Sequence, residues 1–393
     1  MRIDLDNIPL DDRTTFALIA SGETPGVFQL ESPWMRRYVR ELQPTSVFDL
    51  AAMVALYRPG PMDNIPHYIA RKHGREPVTY LHPLLEPYLV RTYGVFVYQE
   101  DIMAAAVSLA GFTGPEADTL GYAIRKKKSS VLRSLKDKFV TQAAERGVKP
   151  ETIDAVFRAF EPFERYGFNK AHATCYGLVA YQTAYLKANY TVEYMTSVLT
   201  AFRDNAEKVA AAVAECRRLG ISVLPPDVHA SHLEFTVQGP SIRFGLLAVK
   251  NVGQGAIESI IAAREAGGAF RSFADFCNRI DLRLTNTRVL ESLVQVGASR
   301  AFCHPGRLLG RDRRQHRGLR ARISVRGPAR GASAPRCLGR GPLAQRARSA
   351  SNKHRLPLLQ EALHPPAVAR GGEPPVEPPA RPPAPPPRAA PGR

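Results

Sequence analysis

The sequence lacks the features of several common protein classes. No run approaches the roughly 18 consecutive apolar residues that a membrane span requires. Its first residues, Met1 to Asp6, are too acidic and polar for a secretory signal peptide. We therefore expect a cytoplasmic protein with no membrane partner.

Cysteine is also scarce, and its pattern excludes a disulfide framework. The five cysteines are odd in number and at least 26 residues apart, which is typical of reduced thiols. His172 and Cys175 could supply half of a zinc site, but no second pair stands at a suitable spacing. The sequence thus predicts no bound metal.

Aromatic residues and lysine almost disappear after residue 299. The 94 residues from Arg300 contain one aromatic, Phe302, and one lysine, Lys353, whereas Arg, Pro, Ala and Gly make up 61 of them. Such a segment buries too little apolar surface to offset its ordering entropy, so we predict a disordered Arg/Pro-rich tail over residues 300–393. It could be a phosphate-binding arm. The abrupt change in composition favours the other explanation, that this segment is translated from a GC-rich gene in a shifted reading frame.

The net charge of +18 divides unevenly at the same position. Residues 1–299 carry 34 basic and 32 acidic residues, while residues 300–393 carry 20 basic and 4 acidic residues. A strongly basic chain indicates a polyanionic partner such as nucleic acid. Because residues 1–299 are nearly neutral, any such function there depends on local clusters of cations.

Helix signals dominate the first 200 residues. Ser32 and Pro33 open one helix, and Ser46 with Asp49 caps a second that must end before Arg58. The best strand candidate is Gly94 to Tyr98. Further helices are predicted over residues 99–109, 115–127, 130–146, 150–160 and 171–188.

The pattern changes after residue 200. A helix over residues 205–219 precedes a predicted β-hairpin over 233–245, and residues 246–261 follow as a helix, a tight hairpin and a second helix. Asn251, Gly253 and Gly255 stand where positive φ or close backbone approach is needed. Backbone N–H groups of such a turn can hold a phosphate, although a plain packing joint remains the alternative.

The predicted fold is therefore mainly α. It comprises a helical domain over residues 1–200, and a small α+β region with a helix–hairpin–helix over residues 201–299.

Four clusters of cations interrupt the apolar periodicity of residues 1–299. Each has an ordinary interpretation by itself, such as a solvated charge run or a structural role for His172. Together they indicate a groove for phosphates with aromatics available for base stacking. The clusters are Arg58–Met62, Arg71–Arg75, Arg125–Lys128 and Arg165–His172.

Several ordered motifs carry a family resemblance over about residues 5–297. The chain resembles the alpha subunits of bacterial DNA polymerase III, the replicative polymerases of family C. Residues 1–200 look like the helical fingers domain, and residues from about 220 look like the helix–hairpin–helix region that follows it. The motifs are FQLES from Phe28, ALYRPGPM from Ala55, RKHGRE from Arg71, YGVFVYQE from Tyr93, YGFNKAH from Tyr166, YQTAYLK from Tyr181 and LPPD from Leu224.

The resemblance implies two sets of binding residues. Cations near the nucleotide would neutralise triphosphate charge, since phosphoryl-type transfer depends mostly on positioning and electrostatics. Many members of the family have two arginines where this chain has Gly121 and Tyr122. Nucleotide contacts in that stretch would therefore depend on Arg125. The nucleotide and template set is Arg58, Arg71, Lys72, Arg75, Arg125, Lys126, Lys127, Lys128, Tyr166, Asn169, Lys170 and His172; the duplex set is Lys250, Asn251, Gly253 and Gly255.

Catalysis in this family requires Mg²⁺ held by close carboxylates of the palm domain. The palm precedes the matched region, and the only Asp-x-Asp of this sequence, Asp4 and Asp6, aligns with a variable link. We therefore expect a fragment that binds dNTP and template-primer DNA but holds no metal and is inactive alone. The intact enzyme would contact a sliding clamp and other replisome subunits.

Two alternatives remain open. The chain could be a non-catalytic helix–hairpin–helix module whose basic arm binds DNA, or part of a polymerase assembled from separate polypeptides.

Overall fold

The computed structural model describes residues 3–126, 129–160, 163, 167–300 and 302. The predicted disorder of the tail therefore falls outside the described residues, except at Arg300 and Phe302. The same holds for Lys127, Lys128 and Tyr166, and for the side chains of Arg125 and Lys126.

The described part of the chain is mainly α, as predicted. Three short strands form one small sheet: β1 (Val223–Leu224), β2 (Thr236–Gln238) and β3 (Ser241–Arg243). The helices are α1 (Arg13–Ala20), α2 (Pro33–Leu42), α3 (Val47–Leu56), α4 (Ile65–Lys72), α5 (Glu86–Leu89), α6 (Gln99–Ala110), α7 (Gly114–Lys126), α8 (Ser129–Glu145), α9 (Pro150–Phe160), α10 (Lys170–Asn189), α11 (Thr191–Ala201), α12 (Ala206–Arg218), α13 (Gln254–Gly267), α14 (Phe273–Arg279) and α15 (Thr287–Gln295).

The predicted helix starts are confirmed by their caps. The Ser32 hydroxyl accepts the Met35 N–H at the start of α2, and Ser46 with Asp49 forms a capping box on α3. Helices α1, α4, α5, α11, α14 and α15 were not predicted. The start of α1 could have been recognised from the sequence, because Asp12 is a capping residue whose carboxylate accepts the Thr15 N–H.

The first core is built around α3 and α10. Every residue of α3 from Asp49 to Leu56 is buried, so the helix is covered on all sides. Gly177 of α10 lies against α3 so closely that a Cβ would stand 2.9 Å from the Ala51 backbone nitrogen. Small residues at this crossing therefore allow the two helices to approach. Helices α1, α2 and α4 complete the core.

Two further cores follow along the chain. The second is formed by α6 to α9 and includes Phe112, Phe139 and Phe160. The third combines α11 to α15 with the sheet and includes Met195, Ile242 and Ile257. Helix α11 packs Met195 and Leu199 into this third core, although the sequence prediction placed residues 191–200 with the preceding domain.

The predicted strand from Gly94 to Tyr98 is wrong. These residues form an irregular segment, with positive φ at Tyr93 and Gly94. The N–H groups of Val97 and Tyr98 donate to the Asp101 carboxylate at 2.9 and 2.8 Å, so no ladder is formed by them. The apolar run reflects burial on all sides rather than membership of a sheet.

The region after residue 220 follows the prediction only in part. Strands β2 and β3 pair antiparallel as the expected hairpin, and β1 adds a parallel neighbour to β3. The first predicted helix of the helix–hairpin–helix is only a 3₁₀ turn over Leu246–Ala248. Its first N–H groups, on Leu246 and Leu247, donate to His232 and Leu233 carbonyls instead.

A buried ionic cluster joins the first and third cores. Lys187 of α10 places its Nζ 2.6 Å from Glu215 Oε1 of α12 and also donates to the carbonyls of Glu23 and Pro25. Arg218 donates twice to the same Glu215 carboxylate, at 2.8 Å each. The Lys187 side chain has no exposed surface. The two modules are therefore held together by polar groups that can be satisfied only in this arrangement.

Candidate nucleotide and DNA interface

The segment before α10 is held by the start of α6. The Phe168 carbonyl accepts the Gln99 N–H at 2.9 Å. The Glu100 carboxylate accepts the Asn169 side-chain amide at 2.7 Å and the Lys170 N–H at 2.9 Å. Asn169 in turn caps α10 through the His172 N–H. Glu100 thus positions Asn169 and Lys170, a role that sequence analysis did not assign.

A row of rings runs from this segment along α10. The Phe168 and His172 centroids lie 5.2 Å apart, His172 and Tyr176 lie 4.4 Å apart, and Tyr176 lies 5.3 Å from Phe28. The Arg58 guanidinium stands over the Phe168 ring at 3.6 Å. Tertiary structure therefore brings Arg58 and His172 against the same ring, that of Phe168, while the Lys170 ammonium lies over the Tyr98 ring.

The cations of the second cluster have different environments. Arg71 pairs with Glu76 at 2.9 Å and donates to the Tyr93 carbonyl. Lys72 forms a nearly buried ion pair with Asp49, at 2.6 Å, and both side chains are under a tenth exposed. Of these three cations, Arg75 is the exposed one. Arg71 and Lys72 therefore support the fold directly.

The electrostatics near Lys170 are set by two carboxylates. Its Nζ lies 5.5 Å from the Tyr98 ring centroid. Burial raises the pKa of Asp101 to about 6, while hydrogen bonds from Tyr98 and Val97 and the Lys170 charge act in the opposite direction. Lys170 thus stands between acidic neighbours, Glu100 and Asp101, that balance part of its charge.

Gly121 and Tyr122 replace the basic pair that the resemblance leads one to expect. A Cβ at Gly121 would lie 3.3 Å from the Gln99 side chain, which is itself buried. Tyr122 is 38% exposed. At this position the helix α7 packs closely on α6, and an aromatic ring takes the exposed place beside it.

The second candidate site is the turn before α13. Asn251 has a φ of 67°, as predicted, and its side-chain amide donates to the Ser292 hydroxyl at 3.1 Å. Gly253 has neither the positive φ nor the close backbone approach that were the two alternatives predicted there: it is extended, with a φ of −91°, and nothing lies within 4 Å of a Cβ placed on it. No side chain caps α13 there, and Gly253 and Gln254 are exposed. The first N–H groups of α13 therefore point to solvent beside Lys250 and Gly255.

Asp4 and Asp6 lie at the 3₁₀ turn Leu5–Asn7. Asp4 accepts the Asp6 N–H and the Asn7 amide, so it caps a 3₁₀ turn. Across the described ranges, no group of three or more His, Cys, Asp or Glu side chains could hold a metal ion. Within the same ranges, no helix combines the length and the apolar character needed to cross a bilayer.

Two family models define the class to which these elements belong. Residues 1–147 match the bacterial DNA polymerase III alpha subunit finger domain, and residues 220–315 match a helix–hairpin–helix motif. The second match continues past residue 299, where the composition changes. The order of the two matches agrees with the predicted order of the two modules.

Curated relatives then identify the particular family. A DNA polymerase III subunit alpha of Thermus aquaticus is 48% identical over 314 residues, which are 79% of this chain and 26% of the relative. Those of Saccharopolyspora erythraea and Mycobacterium tuberculosis are 48% and 44% identical over 308 residues, 77% of this chain and 26% of each relative. Over the matched residues the chain belongs to the family of bacterial DNA polymerase III alpha subunits. It spans about a quarter of the length of these relatives.

Proposed function

We propose that this chain supplies the nucleotide-side and duplex-side DNA contacts of a DNA-directed DNA polymerase, and that it does not extend a primer by itself. The observation that carries the proposal is the contact of Arg58 and His172 with the ring of Phe168, close to the start of α10, where Lys170 is the first helical residue. Cations close to a row of rings suit a nucleotide, which has phosphates at one end and a flat base at the other.

The residues of the first set divide by their environment. We propose that Arg58, Lys170 and the exposed Arg75 contact phosphates, that His172 contacts a base or sugar, and that Asn169 orients Lys170. Arg71 and Lys72 would act indirectly, because carboxylates already occupy both side chains. The family resemblance alone supports the same nucleotide role for Tyr166 and for Arg125, Lys126, Lys127 and Lys128.

The second site would hold the backbone of duplex DNA. An uncapped helix N-terminus offers N–H donors and a partial positive charge, both of which favour a phosphate. Lys250 adds a full charge beside it, and Gly253 leaves room because nothing lies within 4 Å of its would-be Cβ. Such contacts position a duplex without reading its sequence.

Magnesium and protein partners belong to the whole enzyme in this proposal. Mg²⁺ would supply the activation of the primer hydroxyl and the stabilisation of the leaving pyrophosphate when held by palm carboxylates. A sliding clamp and other replisome subunits would be partners of a cytoplasmic enzyme. The residues described here would orient the nucleotide and the template.

The nucleotide-side contacts are tested by Lys170→Ala. We expect the affinity for a labelled primer-template with the complementary dNTP to fall about three- to tenfold, because one phosphate contact is lost. Fluorescence anisotropy measures the affinity, and Lys149→Ala, an exposed lysine in the turn before α9, is the matched control. Equal affinities of the two variants would contradict the assignment. Primer extension with Mg²⁺ should not exceed a no-protein control, and templated incorporation would refute the proposed inactivity.

The duplex-side contacts are tested by Gln254→Glu. A carboxylate at the start of α13 suits the helix dipole, but it replaces an amide that donates to the Glu258 carboxylate at 2.8 Å, so the midpoint of thermal unfolding should fall slightly. The same charge repels a phosphate, and we expect duplex affinity to fall about five- to tenfold. Gln238→Glu, at an exposed position of β2, is the control. A Gln254→Glu variant that binds duplex as tightly as this control would exclude phosphate binding at α13.

A further inference from the structure

The turn Val27–Leu30 presents an exposed aromatic ring next to the proposed nucleotide surface. We propose that Phe28, Gln29 and Tyr176 form, together with His172, a binding site for unpaired bases of single-stranded DNA. This inference rests on the proposed function and extends it, since none of Phe28, Gln29 and Tyr176 was assigned a role from the sequence.

The turn is anchored at both ends, so its tip is held in place. Val27 and Leu30 have no exposed surface. The Leu30 carbonyl accepts the Thr24 hydroxyl at 2.6 Å, and the Leu30 N–H donates to the Val27 carbonyl at 3.1 Å. The Phe28 N–H donates to the Thr183 hydroxyl of α10 at 3.1 Å. Only the side chains at the tip, Phe28 and Gln29, are left in solvent.

The tip also carries backbone strain. Gln29 has a φ of 62°, a left-handed conformation that costs a non-glycine residue free energy. Its side chain is exposed, so burial of that side chain does not compensate for the cost. The strained turn places Phe28 against Tyr176 while it leaves the Gln29 amide available. An amide with one acceptor and two donors can pair with the edge of a base.

The rings form a continuous row in which neighbouring planes are tilted, by 47° between His172 and Tyr176 and by 49° between Tyr176 and Phe28. His172 and Tyr176 lie four residues apart on α10, hence on one face of the helix, and Phe28 continues the row beyond them. His172 is exposed, Phe28 is 36% exposed and Tyr176 is half-buried. Successive bases of a single strand stack on such rings without sequence preference.

Charge around the row favours a nucleic acid over an apolar partner. Arg58 stands at the Phe168 end, and Lys170 precedes His172 on α10. The nearby acids are engaged locally: the Glu31 carboxylate accepts the Gly26 N–H at 3.3 Å, and the Glu100 carboxylate accepts the Lys170 N–H at 2.9 Å. A strand whose bases lie on the rings would find cations for its phosphates at one end of the row.

The test compares single-stranded with duplex DNA. We expect Phe28→Ala and Tyr176→Ala each to weaken binding of a labelled oligothymidylate, about 16 nucleotides long, by fivefold or more. Binding of a duplex of the same length should change less than twofold. Tyr176→Phe keeps a ring and should restore most of the affinity. Fluorescence anisotropy at constant salt measures each constant.

Phe48→Ala supplies the matched control, because Phe48 is an exposed phenylalanine, 47% accessible, that also has a cation over its ring. Thermal unfolding verifies that every variant is folded, and Phe28→Trp, which enlarges the ring, should bind the single strand at least as well as the unsubstituted chain. Equal binding by Phe28→Ala and Phe48→Ala would overturn the base site. If Lys170→Ala still weakens primer-template binding in that case, the proposed function stands; if neither changes binding, both proposals fail.

Discussion

Replacing Lys187 by alanine is expected to lower the free energy of unfolding by about 3–5 kcal/mol, the usual effect of removing one partner from a buried ion pair. The truncation leaves the Glu23 and Pro25 carbonyls without their donor and opens a cavity between α10 and α12. Glu215 retains Arg218, which limits the loss. Urea unfolding monitored by circular dichroism measures the change.

Two control variants separate the charge from the volume. Lys187→Met keeps the length of the side chain and loses its charge, so it should recover part of the lost stability. Lys149→Ala removes an exposed lysine and should change the free energy of unfolding by less than about 0.5 kcal/mol. A Lys187→Ala variant that matches Lys149→Ala would show that the buried cluster does not stabilise the junction of the two modules.

The cluster of Lys187, Glu215 and Arg218 also determines how the stability of the protein changes with pH. Burial opposes ionisation of Glu215, but hydrogen bonds from Arg218 and Lys187 outweigh it and hold its pKa below the ordinary value of 4.5. Stability from this group is therefore present above about pH 4.5 and is lost as the pH falls through the lower folded-state pKa. Burial lowers the pKa of Lys187 from its ordinary value of 10.5, while the hydrogen bond and charge of Glu215 act in the opposite direction.

Replacing Lys72 by alanine is expected to destabilise the protein by about 3 kcal/mol, with little direct effect on nucleotide affinity. Asp49 would remain buried at the start of α3 without its cation, although the Thr45 and Ser46 N–H groups still donate to it. This result would assign Lys72 a structural role. Chemical unfolding and nucleotide binding by the folded fraction are measured on the same sample.

Arg75→Ala is the matched comparison for Lys72→Ala, because Arg75 is three residues away and exposed. It should leave the free energy of unfolding within about 0.5 kcal/mol of the unsubstituted chain. If Lys72→Ala instead keeps full stability and loses nucleotide affinity, Lys72 contacts the nucleotide. The ion pair with Asp49 would then not contribute to the stability of the fold.

Local chemistry explains why much of the helical fold could be predicted. The caps at Ser32, Ser46 and Asn169 act within four residues of the chain, so their signals can be read directly from the sequence. Helix α9 begins and ends at the predicted residues, 150 and 160. The ordered motifs likewise sufficed for the family, which the comparisons confirm.

Errors arose where the hydrogen bonds of a segment lie outside the element that was predicted for it. The apolar run at Val95 to Tyr98 has the composition of a strand, but the nearby Asp101 carboxylate accepts the N–H groups of Val97 and Tyr98, and the surrounding cores bury the side chains. The first predicted helix of the hairpin region is only the 3₁₀ turn Leu246–Ala248, and its first two N–H groups donate to the His232 and Leu233 carbonyls. Hydrophobicity alone cannot distinguish these outcomes.

The sequence by itself determined the helical class of residues 1–200, the positions of most helix starts and the family. It also located Arg58, Lys170 and His172 as candidates, because cations and aromatics in short motifs are visible without coordinates. Only the tertiary structure decided which of the cations are already paired, as Lys72 is with Asp49 across 23 residues. It alone brought Phe28 to Tyr176 and Lys187 to Glu215. The physical reason is that capping acts within one helical turn, whereas ion pairing and ring contacts depend on how the helices pack.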